Sequence, residues 1–166
     1  MIVTVFRHGE AGFELVDANR SLTSRGIDDI SFGARQFRDA CTLRKLPTPT
    51  LFLYSKWLRT TETADILALS FIGVPMRPEQ ALIPDATCTE VVAMLSQLDE
   101  AEGPEHVVLV SHQPLVSELA DYLLGRSNPV PSLSPGGQFT VELPVAARDC
   151  ASLLFWSLPP EYEAGI

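Results

Sequence analysis

Basic residues are scarce in this chain. Twelve Lys and Arg stand against twenty-one Asp and Glu, giving a net charge of −9. An acidic surface repels nucleic acid and anionic membranes, so neither is expected as a partner. Cysteine is rarer still, with three residues, Cys41, Cys88 and Cys150. They form no CxxC pair and show no metal-ligand spacing, so no metal is expected. Reduced, mostly packed thiols of a cytoplasmic protein are the expectation. No window approaches the roughly 18 apolar residues of a membrane span. The N-terminus runs straight into a strand-like segment, so no secretory leader is expected. Internal repeats, low-complexity tracts and linkers are absent as well. The 166 residues, 46% of them apolar, can fill one hydrophobic core, so residues 1–166 are expected to form one domain.

What is there is concentrated at two places. The chain has only three histidines, and two of them end apolar strand-like runs. Ile2-Val3-Thr4-Val5-Phe6 leads into Arg7-His8-Gly9-Glu10, and Val107-Val108-Leu109-Val110 leads into Ser111-His112. A third run, Leu51 to Ser55, opens a helix with Arg59 near its start. Ligands of open α/β sheets bind beyond the C-terminal strand ends. The pattern therefore gathers two imidazoles and two guanidinium groups at one sheet edge, where phosphate is the natural ligand.

Along the chain, strands alternate with helices. Strands are expected at about 2–7, 50–55, 76–78 and 106–111, followed by an antiparallel hairpin of 138–143 and 152–158. Thr23 reads as the N-cap of a helix reaching about Cys41, with Ile27, Ile30, Ala34 and Phe37 inward. Further helices are expected over about 58–71, 89–101 and 114–124, the last opened by Pro114. His106 is expected in solvent, and residues 159–166 are expected to fray. The fold class is α/β: a three-layer sandwich with helices on both faces of a mixed, mostly parallel sheet.

A neutral imidazole is a competent nucleophile toward phosphorus near pH 7. Fixed cations stabilise the charge on the equatorial oxygens of the transition state. Arg7 and Arg59 suit bidentate phosphate contacts, and protonated His112 can donate another hydrogen bond. Gly9 lets backbone approach closely. Arg20 could reach the phosphate from its loop, and backbone N–H groups after His112 could face it. Ser55 and Gln113 read as pocket-wall residues.

Arg7-His8-Gly9-Glu10-Ala11 resembles the RHG signature of the histidine phosphatase, or phosphoglycerate-mutase-like, superfamily. Leu22-Thr23-Ser24-Arg25-Gly26, the stretch Ser55 to Ala64, and Ser111-His112-Gln113-Pro114-Leu115-Val116 resemble its later motifs, in the expected order. The short length, Ala11 and the SHxPLV segment are most similar to SixA-type phosphohistidine phosphatases. The resemblance implies a phosphoglycerate-mutase-like fold and a metal- and cofactor-free phosphatase. His8 would be the phospho-accepting nucleophile, with Arg7, Arg59 and His112 completing the pocket. It also implies phosphorylated histidine phosphotransfer domains of bacterial relays as partners. A small phosphate ester is the alternative substrate, and a non-catalytic phosphate-binding module is the alternative function. Lys56 replaces the usual proline. The chain is too short for the mutase insertion that carries a glutamate proton donor. Glu10, Asp85 and Glu90 are the acids nearest that role, and no motif picks one out. An imidazole leaves more readily than an alkoxide, so a missing acid favours an N–P substrate.

Overall fold

The computed structural model describes residues 1–99, 103–125 and 128–165. Its elements are β1 (Ile2–Arg7), α1 (Ser24–Leu43), β2 (Leu51–Tyr54), α2 (Leu58–Ala68), β3 (Met76–Pro78) and α3 (Cys88–Asp99). They are followed by β4 (His106–Ser111), α4 (Leu115–Leu124), β5 (Gln138–Glu142) and β6 (Ser152–Ser157). The strands form one sheet in the order β3-β2-β4-β1-β5-β6. The first four strands are mutually parallel, whereas β5 and β6 run antiparallel to their neighbours. The expected α/β three-layer sandwich is the observed architecture.

Alternation along the strands decides which helices cover which face. Val3, Val5, Val107 and Leu109 pack with Leu115, Leu119 and Leu123 of α4 and Val91 and Leu95 of α3. Phe6, Val108 and Val110 point the other way, onto Ile30, Ala34 and Phe37 of α1 and Ala64 and Leu67 of α2. Both faces are buried, which is why β1 and β4 read as continuous apolar runs.

Thr23 caps α1 as expected, its side-chain oxygen accepting from the Gly26 N–H at 3.0 Å. The helix continues to Leu43. Ile27 is a correction: it is 45% exposed. At about 100° per residue it lies roughly 60° off the stripe of Ile30, Phe37 and Cys41, beyond the sheet's reach. Gly26 takes the inward place in that first turn, where a Cβ would run into the Glu10 carbonyl oxygen. The second helix closes at Ala68 rather than Phe71, because the chain turns tightly through Leu69–Phe71. Of the expected third helix, Ala101 lies outside the described residues.

Two other expectations are overturned. His106 is fully buried. A carbonyl oxygen only accepts, so Nδ1 donates to the Pro47 carbonyl at 2.8 Å, and Nε2 accepts from the Thr4 hydroxyl at 2.8 Å. The first residue of a central strand is enclosed by its neighbours, and two hydrogen bonds satisfy the ring there. The C-terminal segment is anchored rather than frayed, apart from Ile166, which lies outside the described residues. Gly165 bridges to Trp156, and Tyr162 is buried against Gly33 with its hydroxyl donating to the Gly136 carbonyl. An aromatic side chain and one backbone bridge outweigh the fraying usual at a terminus.

Replacing Tyr162 with Ala should therefore lower unfolding stability by about 3–5 kcal/mol, the range for emptying a buried aromatic site. Urea denaturation measures this, and an unchanged midpoint would mean the tail contributes nothing.

Candidate active site

β1 and β4 pair in register from Ile2 opposite His106 to Arg7 opposite Ser111. The next residue on each strand is His8 or His112, so the two imidazoles leave the sheet at the same level. Their ring centroids are 5.1 Å apart, edge to face. Both are buried, His8 at 8% and His112 at 2% exposure. β2 and the turn after it start α2, whose second residue, Arg59, reaches the same place at 5% exposure. Ser55 closes that turn: it is fully buried, its carbonyl accepts from the Thr60 hydroxyl at 2.8 Å, and its N–H donates to Val110.

The protonation state of His8 follows from its partners. Nδ1 donates to the Gly9 carbonyl at 2.7 Å, so Nδ1 carries the proton. The Nε2 lone pair faces Arg59, whose Nε–H donates to it at 3.1 Å. Burial, and then the positive charge of Arg59, Arg7 and Arg20, push the imidazole down to about 4, against the opposing Gly9 bond. At neutral pH His8 is a neutral base with its lone pair on Nε2. Burial, then His8 and Arg59, drive His112 down to about 3.

His112 is framed by Trp57, ring centroids 5.3 Å apart, and Trp57 also stacks on the Arg59 guanidinium at 4.7 Å. Neither ring nitrogen of His112 has a hydrogen-bond partner among the described residues, and nor does Arg7 Nε. Arg7 also donates through an η nitrogen to the Leu133 carbonyl at 2.8 Å. Unpartnered buried polar atoms are costly, and three in one cluster mark a place built for a polar ligand.

The remaining expected residues are placed as follows. Gly9 donates its N–H to Thr63 of α2 at 3.0 Å, and a Cβ there would stand 2.9 Å from Ile30. Glu10 is tied to the cap of α1, accepting from the Thr23 hydroxyl at 2.8 Å and the Thr23 N–H at 2.9 Å. Arg20 turns its nitrogens to its own loop: the Gly12 carbonyl at 2.7 Å, Ala11 at 3.3 Å and the Asp17 carboxylate at 3.0 Å. The Gln113 amide donates to Ser117 at 2.7 Å and to the Leu133 carbonyl at 3.1 Å. Asp85 is exposed and makes no hydrogen bond among the described residues, although the turn before it, at Leu82, accepts from the Ser111 hydroxyl. The structure thus brings together Arg7, His8, Arg59 and His112. It uses Glu10, Arg20 and Gln113 to hold the surrounding chain.

Sequence reasoning missed Asp17, Trp57 and the Leu133 carbonyl as parts of the site. Asp17 opens a single 310 turn, Asp17–Asn19, and its backbone and side chain both accept from Arg59. An aspartate in an irregular loop and a main-chain carbonyl carry no periodic signal. Trp57 could have been found, since it stands two residues before Arg59.

The fold recurs in solved structures. Histidine phosphatases share the α/β fold of this chain. The protein histidine phosphatase SixA, solved with tungstate, matches with a TM-score of 0.81 at 23% identity, over 98% of this chain and 100% of that one. A chain from Agrobacterium tumefaciens provisionally assigned as phosphohistidine phosphatase SixA gives 0.74 at 19% identity, over 95% and 97%. Mycobacterial glucosyl-3-phosphoglycerate phosphatase, solved with inorganic phosphate, gives 0.66 at 16% identity, over 92% and 94%. No protein family and no curated protein matches the sequence.

The burial of three neutral imidazoles sets a pH dependence of stability. His8, His106 and His112 stand at about 4, 4 and 3 in the fold, against an ordinary value of 6.5. The unfolded chain takes up protons that the fold refuses, so their contribution is full above about pH 6.5. It is lost progressively as pH falls toward 4. Urea midpoints at pH 7.5, 6 and 5 should decline in that order, and a flat series would show that the rings are not held neutral.

Proposed function

We propose that residues 1–166 form one phosphatase domain that removes phosphoryl groups through a phosphohistidine at His8. Its substrate is a protein phosphohistidine, such as a histidine phosphotransfer domain. The observation that carries this reading is the cluster itself. A neutral imidazole with its lone pair on Nε2 stands beside Arg59, Arg7 and an unpartnered His112, all at the C-terminal ends of parallel strands.

In the first step Nε2 of His8 forms the new N–P bond as the substrate's N–P bond breaks. The departing imidazole takes up a proton from solvent. In the second step water attacks phosphorus and gives up a proton to solvent, the bond from phosphorus to Nε2 breaks, inorganic phosphate leaves, and His8 regains its lone pair. Arg7 and Arg59 hold the equatorial oxygens. A bound phosphate dianion opposes the effect of burial on His112, so His112 takes a proton and donates to an oxygen. Every charge the reaction requires is supplied by the chain, so no metal is needed.

The rim of the site favours a protein substrate. Phe13 and Leu15 are 89% exposed, and Val16 is exposed with them, on the loop that carries Asp17. Leu58, next to Arg59, is exposed too. A cleft of about 440 Å³ lined by Ala11 to Glu14, Asp17 and Arg20 adjoins them. An apolar rim around a cationic pocket matches a phosphorylated side chain standing on a protein surface better than a hydrophilic sugar phosphate.

The test is phosphate release from a phosphohistidine-bearing phosphotransfer domain in the presence of EDTA. The native protein should turn over, and His8→Ala should lose roughly 10³-fold or more, the scale for removing a nucleophile. Inactivity there, with turnover of simple phosphate esters, would replace this reading with a small-molecule phosphatase. Phosphate binding without any turnover would leave a binding module.

A further inference from the structure

The resting site already holds an anion of its own. Asp17 turns its carboxylate toward two guanidinium groups. Oδ2 accepts from an η nitrogen of Arg59 at 3.3 Å, and Oδ1 accepts from Arg20 at 3.0 Å. The other η nitrogen of Arg59 donates to the Asp17 backbone carbonyl at 2.8 Å. The third edge of the same guanidinium, Nε–H, is on Nε2 of His8. Arg59 is thus pinned between an internal carboxylate and the lone pair that must attack phosphorus. Hydrogen bonds to both arginines hold the Asp17 carboxyl below its usual range, so the group is charged at neutral pH.

The geometry points to Asp17 as a resident anion that competes with the substrate's phosphoryl group for Arg59. A lone pair donated into an N–H cannot at the same time form a bond to phosphorus. Arg59 must therefore move its Nε–H from His8 to a phosphoryl oxygen before attack. Its η edge is the part best suited to a second oxygen, and Asp17 occupies that edge. Phosphoryl binding exchanges carboxylate oxygens for phosphoryl oxygens on Arg59 and frees His8 Nε2 in the same event. Phosphate release reverses the exchange, and the returning carboxylate helps expel the product. Asp17 thereby sets how tightly the site holds any oxyanion.

This rests on the phosphatase reading above, but the sign of its prediction is independent of turnover. A residue that merely positions Arg59 should weaken oxyanion binding when removed. A competing anion should strengthen it. The experiment is calorimetric titration with inorganic phosphate and with tungstate, on the native protein, Asp17→Asn and Asp17→Ala. Both variants keep the main-chain carbonyl that accepts from Arg59, and their fold is checked by circular dichroism. Loss of one partly exposed ion pair and of its repulsion toward a dianion predicts about three- to tenfold tighter binding. KM for a phosphorylated substrate should fall in parallel. Equal or weaker binding in both folded variants would overturn the role of Asp17. Absence of oxyanion binding in the native protein would instead overturn the phosphatase reading. Arg59→Ala should shrink the difference between the native and Asp17→Asn backgrounds to the smaller part that direct repulsion by Asp17 supplies, and a difference of undiminished size would also overturn the competition.

Discussion

The parallel pairing of β1 with β4 is the constraint on which the rest of the structure depends. Because Arg7 lies opposite Ser111, two residues more than a hundred positions apart in sequence leave the sheet side by side. Parallel neighbours cannot be joined by a tight turn, so the intervening chain must cross the sheet with helices. Those crossovers deliver the rest of the site. The chain leaving β1 carries Asp17 and Arg20 before α1. The chain leaving β2 carries Trp57 and Arg59 into α2. From β4 the chain continues to β5 on the far side of β1, so connections diverge around the two central strands, where crevices form in sheets of this kind.

The site inverts the electrostatics of the molecule. The chain carries a net charge of −9, yet its buried cluster holds guanidinium groups and imidazoles kept neutral by burial. Neutrality is the useful state for His8, since only an unprotonated nitrogen can bond to phosphorus. The arginines and the low polarity around them act together: each makes an imidazolium less favourable. The arginines also make a dianion welcome. One environment therefore prepares the nucleophile and attracts the electrophile.

Much of this was legible in the sequence. Strand runs that end in His8 and His112 announced the sheet and the site together, because a fully buried strand leaves a continuous apolar signature. Thr23 was legible as a cap because its side chain acts within its own turn. Asp17 was not, since its importance lies in meeting Arg59 from 42 positions away. Arg20 and Gln113 have the right chemistry for phosphate, but local carbonyls and a serine claim their donors first. His106 was misplaced because its surroundings come from β1 and from the Pro47 turn. Tyr162 was hidden by its position near the terminus, where sequence offers no view of the glycine face of α1 that receives it.

The buried polar groups beneath the sheet have a consequence for assembly. Side chains of His106, Thr4, Thr140, Gln138 and Ser157 touch in succession at 2.8–3.1 Å, one chain running across β4, β1, β5 and β6. A strand displaced by a single residue would turn its polar member to the opposite face and leave its neighbours unsatisfied. Apolar strands rich in valine and leucine would otherwise tolerate several alignments at similar energy. The chain of polar side chains works as a key that accepts one alignment, and that alignment is the one in which both imidazoles emerge together.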